Sequence, residues 1–237
     1  MKTAIITGVS SGIGNKIASE VIQSGCDVYG FDINECDLDG LHFFYIDITN
    51  EEEVIEAIIN ITNKTKIIDY VINCAGIISV YKCYRFCDIP MEEWERVIDV
   101  NLKGSFIVSK VCIPYMKENG CLLYFSSEQV EKPNLKSAPY AISKAGIEMM
   151  NKIIAVDCLE KKIRSNVIAL GSVDTRFIAH MLKDEELLKE KMQSADERMT
   201  FGIITVDDVW KIVRFVLFDA NKMTGQKILV DSGMLIQ

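Results

Sequence analysis

The opening of the chain constrains its fold more than any other stretch. A β-branched apolar run, "TAIIT", passes straight into the glycine turn "GVSSGIG" and then into an amphipathic segment, "NKIASEVIQ". Gly8 permits a tight turn, Gly12 lets backbone approach a pyrophosphate, and Gly14 allows close packing. The helix that follows supplies free amides and the positive end of its dipole. A glycine cluster alone says little, but this one lies between a strand pattern and a helix pattern, where that mechanism requires it.

The same alternation recurs to the end of the chain. Short apolar runs predict strands at 3–7, 27–31, 43–46, 67–73, 121–126, 165–169 and 227–230, and segments of helical period predict helices at 12–24, 51–63, 91–117, 138–161 and 206–219. Seven strands with helices between them form one doubly wound α/β domain over residues 1–237. Only 171–205 lacks strand or sheet-covering character. Its charged run "DEELLKEKMQSADERM", interleaved with Phe177, Met181, Leu182 and Phe201, reads as a substrate lid or as a solvated surface helix.

Composition narrows the partners. A net charge of −8 excludes a general nucleic-acid or anionic-membrane surface. The apolar start at 4–6 is too short for a signal peptide or a membrane span, so a cytoplasmic protein is expected. Eight cysteines include no C-x-x-C, and Cys83 and Cys87, the closest pair, read as small hydrophobes; reduced thiols and no metal are expected. The predicted helices carrying Phe106, Ile107 and Val111, and Ile142, Met149, Ile153 and Val156, are apolar on more than one face, which points to a homo-oligomer, a tetramer or a dimer.

Two further features bear on chemistry. Asp32 closes the second strand, twenty-four residues after Gly8, where a carboxylate accepts ribose hydroxyls and repels a 2′-phosphate; this favours NAD over NADP. Tyr140 and Lys144 are four residues apart at a helix start, so they share a face.

With T-G-x-x-x-G-x-G at 7–14, "NCAG" at 73–76, Asn101 in "DVNLKG", Ser127 thirteen residues before Tyr140, and Tyr140-x-x-x-Lys144, the chain resembles the compact branch of the short-chain dehydrogenase/reductase family over essentially its whole length. The resemblance implies a Rossmann sheet in the order 3-2-1-4-5-6-7 and a catalytic set of Asn101, Ser127, Tyr140 and Lys144. It also implies cofactor contacts from Gly8, Ser10, Ser11, Gly12, Ile13 and Gly14, from Asp32, Asp47 and Ile48, from Asn73, Ala75 and Gly76, and from Gly171, Val173 and Thr175, with Tyr140 and Lys144 also touching the cofactor. Asp69 would brace the sheet. Departures from the family pattern are Cys74 for asparagine, Leu170 for proline, and Glu128, Gln129 and Lys132 on the substrate side, where small residues are usual.

The implied reaction is hydride exchange between a nicotinamide and a secondary alcohol or ketone. Ser127 would hold the substrate oxygen, Lys144 would lower the Tyr140 pKa from its usual value near 10, and Asn101 would interrupt its helix to hold a relay water. The alternatives are an NADPH-dependent 3-oxoacyl-(acyl-carrier-protein) reductase, against which Asp32 and the acidic charge argue, and a non-catalytic cofactor-binding regulator on the same fold, against which the complete residue set argues.

Overall fold

Strands buried on both faces carry nearly unbroken apolar runs, and seven such strands build the sheet. In the computed structural model, which describes residues 1–78, 85–134, 137–175, 197 and 199–236, they are β1 (Lys2–Thr7), β2 (Cys26–Asp32), β3 (Leu41–Tyr45), β4 (Ile68–Asn73), β5 (Met116–Ser127), β6 (Arg164–Leu170) and β7 (Lys227–Val230). All pair in parallel, in the order β3-β2-β1-β4-β5-β6-β7, as the sequence predicts. The order reverses between β1 and β4, and Thr7 stands beside both Phe31 and Asn73 there. Crevices at such a reversal are where open α/β sheets bind ligands.

Alternate residues of each strand enter different cores. Ile5, Val71, Leu122 and Tyr124 join one core with α2 (Glu51–Thr65), α4 (Ser105–Cys112) and α5 (Ala138–Asp157). Ala4, Ile6, Ile72 and Leu123 join the other with α1 (Gly12–Gln23) and α6 (Val206–Arg214). Asp69, buried in β4, accepts the Thr3 amide at 2.9 Å and so ties β4 to the start of β1.

Three expected helices are shorter than their periodicity suggests. The span 91–117 divides into α3 (Met91–Ile98), a π-helical stretch (Asp99–Gly104), α4 and a 3-10 turn (Ile113–Tyr115), and Met116 already belongs to β5. Pro114 has no amide proton to continue the ladder, which ends α4. Helix α5 stops at Asp157, and the following turn places Lys162 at φ +53°. After Arg214 the last helix widens into a π turn, Phe215–Asp219.

Much of the expected lid, including Arg176, Phe177, His180, Met181, Leu182, Met192 and Arg198, lies outside the described residues, as does Cys83. The base of that segment is pinned: Val173 bridges Ile204, and the Asp174 amide donates to the Ile204 carbonyl at 2.8 Å. Seven cysteines among the described residues are unpaired. No described helix is long and apolar enough to cross a membrane.

Candidate active site

A cavity of about 400 Å³ opens along the C-terminal ends of the central strands. At one end backbone packs directly on backbone. Gly8, at φ +74°, has no room for a side chain, since a Cβ there would sit 2.8 Å from the Ala75 amide nitrogen. A Cβ on Gly14 would run into the Gly8 carbonyl oxygen. The Ala75 amide donates to Thr7 Oγ1 at 3.1 Å, which locks the β4 turn to β1. Ser10, Ser11, Gly12 and Ile13 line the cavity with these glycines, and Ser11 precedes α1 without using its side chain as a cap. A Cβ on Gly12 would lie 3.5 Å from that of Thr175, so the loop after β6 faces the glycine turn; Gly171 and Val173 line the same wall.

Asp32 stands at the rim of this end. Its Oδ2 accepts the Ser10 amide at 3.0 Å, and its Oδ1 accepts the Asn34 amide at 2.9 Å and the Asn34 side-chain amide at 3.2 Å. Asp47 and Ile48 line the cavity beyond it, and Asp47 Oδ1 takes the Thr49 amide and hydroxyl at 2.9 and 2.8 Å. Ala75 and Gly76 also line it, but Asn73 and Asn101 are not among the lining residues. Asn73 is buried at the end of β4, and neither polar atom of its side chain has a partner among the described residues.

At the other end, Tyr140 and Lys144 occupy the first turns of α5. The Lys144 Nζ lies 5.5 Å from the Tyr140 ring centroid and donates to the Phe125 carbonyl at 2.9 Å. Ser127, the last residue of β5, donates its hydroxyl to Glu128 Oε2 at 2.7 Å and accepts the Gln129 amide at 3.2 Å. Asn101 is fully buried in the π stretch. Its Oδ1 accepts the Ile77 amide at 2.7 Å, and its Nδ2 donates to the Ile77 carbonyl at 2.9 Å and to Ser143 Oγ at 3.0 Å. The Asn101 carbonyl accepts the Ser105 hydroxyl at 2.8 Å. Asn101 thus sits where the helix ladder is interrupted, and its side chain holds the turn after β4. Gly76 is wedged there: a Cβ on it would lie 3.3 Å from Asn101 Oδ1 and 3.6 Å from Lys144 Nζ.

The electrostatics depart from expectation. Burial pulls the Lys144 ammonium down to about 8. The Tyr140 phenol is raised, first by burial and then by the charge of Glu128, while its hydrogen bond with Ser127 works the other way. The expected lowering of the phenol by Lys144 is not supplied by the protein's own groups. The Lys144 ammonium donates one hydrogen bond to the Phe125 carbonyl, and a carboxylate faces the phenol from the β5 side.

Comparison with known proteins decides the family. A family model described as enoyl-(acyl carrier protein) reductase matches residues 8–235. The chain belongs to the short-chain dehydrogenase/reductase family. It is 30% identical to the 3-oxoacyl-(acyl-carrier-protein) reductase FabG of Thermotoga maritima, over 99% of this chain and 98% of that one. It is 28% identical to glucose 1-dehydrogenase 2 of Bacillus subtilis, over 99% and 95% of the two chains. Among solved structures, the ligand-free aldohexose dehydrogenase of Thermoplasma acidophilum matches with a TM-score of 0.91 at 28% identity, covering 100% of this chain and 94% of that one.

As a member of this family the chain is an oxidoreductase acting on CH–OH groups with a nicotinamide dinucleotide. The glycine turn that any Cβ would fill, together with the fixed carboxylate of Asp32, fits such a group. Sequence reasoning missed the Phe125 carbonyl, since a main-chain acceptor leaves no mark in residue type. It also missed Ser143, whose place directly before Lys144 was a signal that went unread. Glu128 stood out only as a departure from the family pattern, and its bond to Ser127 is visible in three dimensions alone.

Proposed function

We propose that the protein is an NAD-dependent oxidoreductase that interconverts a secondary alcohol and a ketone. The observation that carries this reading is the meeting of Tyr140, Lys144 and Ser127 at one end of a cavity whose other end is the glycine turn and Asp32. In this reading Gly8, Ser10, Ser11, Gly12, Ile13 and Gly14 hold the pyrophosphate, Asp32 the adenosine ribose, and Asp47 and Ile48 the adenine side. Ala75 and Gly76 lie beside that ribose, and Gly171, Val173 and Thr175 flank the nicotinamide half. The dinucleotide supplies or accepts the hydride. Tyr140 gives or takes the proton at the reacting oxygen, Ser127 hydrogen-bonds that oxygen, and Lys144 holds the nicotinamide ribose and supports the phenol's charge. Asn101 fixes the Ile77 turn and the start of α5, and Asn73 shapes the turn from beneath.

The NAD preference rests on Asp32. Its charge is fixed at the rim by backbone amides, and no cation stands at Ser11 or Ile33 to take a 2′-phosphate. The exposed apolar side chains of Phe106, Ile142, Met149, Ile153 and Val156 on α4 and α5 support a homo-oligomer, a dimer or tetramer. The whole chain works as one cytosolic unit in this proposal, with 171–205 as its substrate-side segment.

A second reading, a 3-oxoacyl-(acyl-carrier-protein) reductase, is favoured by the 30% identity to a relative of that name. Steady-state kinetics decide between them, using secondary alcohols and a 3-oxoacyl thioester, each with both dinucleotides. The main reading expects turnover of an alcohol with NAD and a higher kcat/KM for NAD than for NADP. Efficient thioester reduction with NADPH alone would replace it with the second.

A further inference from the structure

Ser127 has one proton, and in this structure Glu128 holds it. A serine hydroxyl is a single donor with two acceptor sites. Its donor goes to Glu128 Oε2 at 2.7 Å, and one acceptor site takes the Gln129 amide at 3.2 Å. Glu128 is only 7% exposed and lines the cavity with Ser127 and Tyr140. A hydrogen bond to a buried carboxylate is among the stronger kinds, and taking away a donor there carries a desolvation penalty.

For Ser127 to serve the reacting oxygen, its proton must turn away from Glu128. A substrate whose carbinol is flanked only by carbon, or by carbonyl groups, gives the carboxylate nothing in exchange. The 3-oxoacyl thioester is such a case, because the groups flanking its ketone carry acceptors and no hydroxyl. A substrate with a hydroxyl on the neighbouring carbon is different. Vicinal oxygens are separated by about the length of a hydrogen bond, so the second hydroxyl can donate to Glu128 while Ser127 turns to the first.

We propose that Glu128 is a specificity-determining residue that selects vicinal diols and polyols, by taking the hydroxyl next to the reacting carbinol and thereby releasing the Ser127 proton. The proposal rests on the dehydrogenase reading above and sharpens it to a substrate class. A site built to hydrogen-bond a substrate hydroxyl discriminates strongly against the analogue lacking it.

The test uses the full chain and matched pairs of alcohols: butane-2,3-diol with butan-2-ol, trans-cyclohexane-1,2-diol with cyclohexanol, and glucose with 2-deoxyglucose. Each is followed by NADH formation in the wild type, Glu128→Gln and Glu128→Ala. At least one diol is expected to exceed its monohydroxy partner by about 100-fold in kcat/KM in the wild type. The ratio should fall at least tenfold in both variants. A residue that merely supported the fold would lower both members of a pair together. Glu128→Gln keeps the side-chain volume, and NADH fluorescence titration reports its folding. Calorimetric binding to Tyr140→Phe with NAD present gives a readout apart from turnover, and the diol should bind more tightly than its partner. Equal turnover within every pair, or a ratio unchanged in both variants, overturns the inference and leaves the dehydrogenase reading standing. Turnover of no alcohol with either dinucleotide overturns both.

Discussion

Asp32 and Glu128 are carboxylates in one cavity, at the ends of β2 and β5 with β1 and β4 between them, and they are bound by opposite means. Asp32 is held mainly by main-chain amides of Ser10 and Asn34, donors that the fold fixes whatever the neighbouring side chains are, with the Asn34 side-chain amide as a longer third. Glu128 is held by the hydroxyl of Ser127, a proton that the proposed chemistry itself needs. In the proposed function the cofactor end is therefore built from backbone positions and would work as a fixed cradle. The proposed substrate end is built from side chains that share protons, as Ser127 and Glu128 do, and its state would change with what enters.

The comparison breaks most sharply at Tyr140. Tyr140→Phe removes the proposed proton carrier without touching the glycine turn, so turnover should fall about 1000-fold. NADH affinity measured by fluorescence titration should stay within a few-fold of wild type. Near-wild-type turnover would take this end of the cavity out of the chemistry.

The converse change is Gly14→Ala. The new Cβ meets the Gly8 carbonyl, and both sides of the clash are backbone, so no side chain can rotate out of the way. Cofactor affinity should drop by a factor of ten or more, and urea unfolding should show a loss of about 1–3 kcal/mol. Gly25→Ala is the control. It has nothing within 4 Å to strike and only its φ of +81° to oppose it, so it should cost about 1 kcal/mol and leave cofactor binding intact. Next in size, Asp32→Ala should lower kcat/KM for NAD by about 10- to 100-fold, the loss of charge-assisted hydrogen bonds. With NADP the value should hold or rise, and an equal fall with both cofactors would deny Asp32 its selective role.

This division also explains what the sequence revealed. Gly8, Gly14 and Asp32 are legible because their roles depend on backbone position, and backbone position follows from strand and turn pattern. The strand order was likewise legible once the motifs had named a family. The resemblance put an interruption of the helix at Asn101, and a π stretch, Asp99–Gly104, lies there; what it did not reveal is that the Asn101 side chain pairs with the main chain of Ile77, which belongs to another segment. The raised Tyr140 phenol was not legible either. A Tyr-x-x-x-Lys spacing puts the two side chains on one face, but it says nothing of the carboxylate arriving from the end of β5 or of the carbonyl that accepts a hydrogen bond from the lysine.

The smallest effect separates the two ends by pH. Lys144 is a buried cation whose folded pKa, about 8, lies below its usual 10.5, so burial charges the native state a penalty while the ammonium persists. That penalty is fully present below pH 8 and is relieved as pH rises toward 10.5, because over that window the unfolded chain binds the extra proton. Tyr140, raised above its usual value near 10, keeps its proton in the native state while the unfolded chain begins to lose one as pH nears 10; that opposing slope is common to wild type and Lys144→Met and cancels in their difference. In chemical unfolding at pH 7, 8, 9 and 10, wild type should therefore gain stability relative to Lys144→Met as pH rises, by on the order of 1 kcal/mol per unit at most. Gly14→Ala, which leaves the substrate end's charges in place, should run parallel to wild type over the same range. A difference between wild type and Lys144→Met that stays flat from pH 7 to 10 would mean that the lysine's burial carries no such charge penalty.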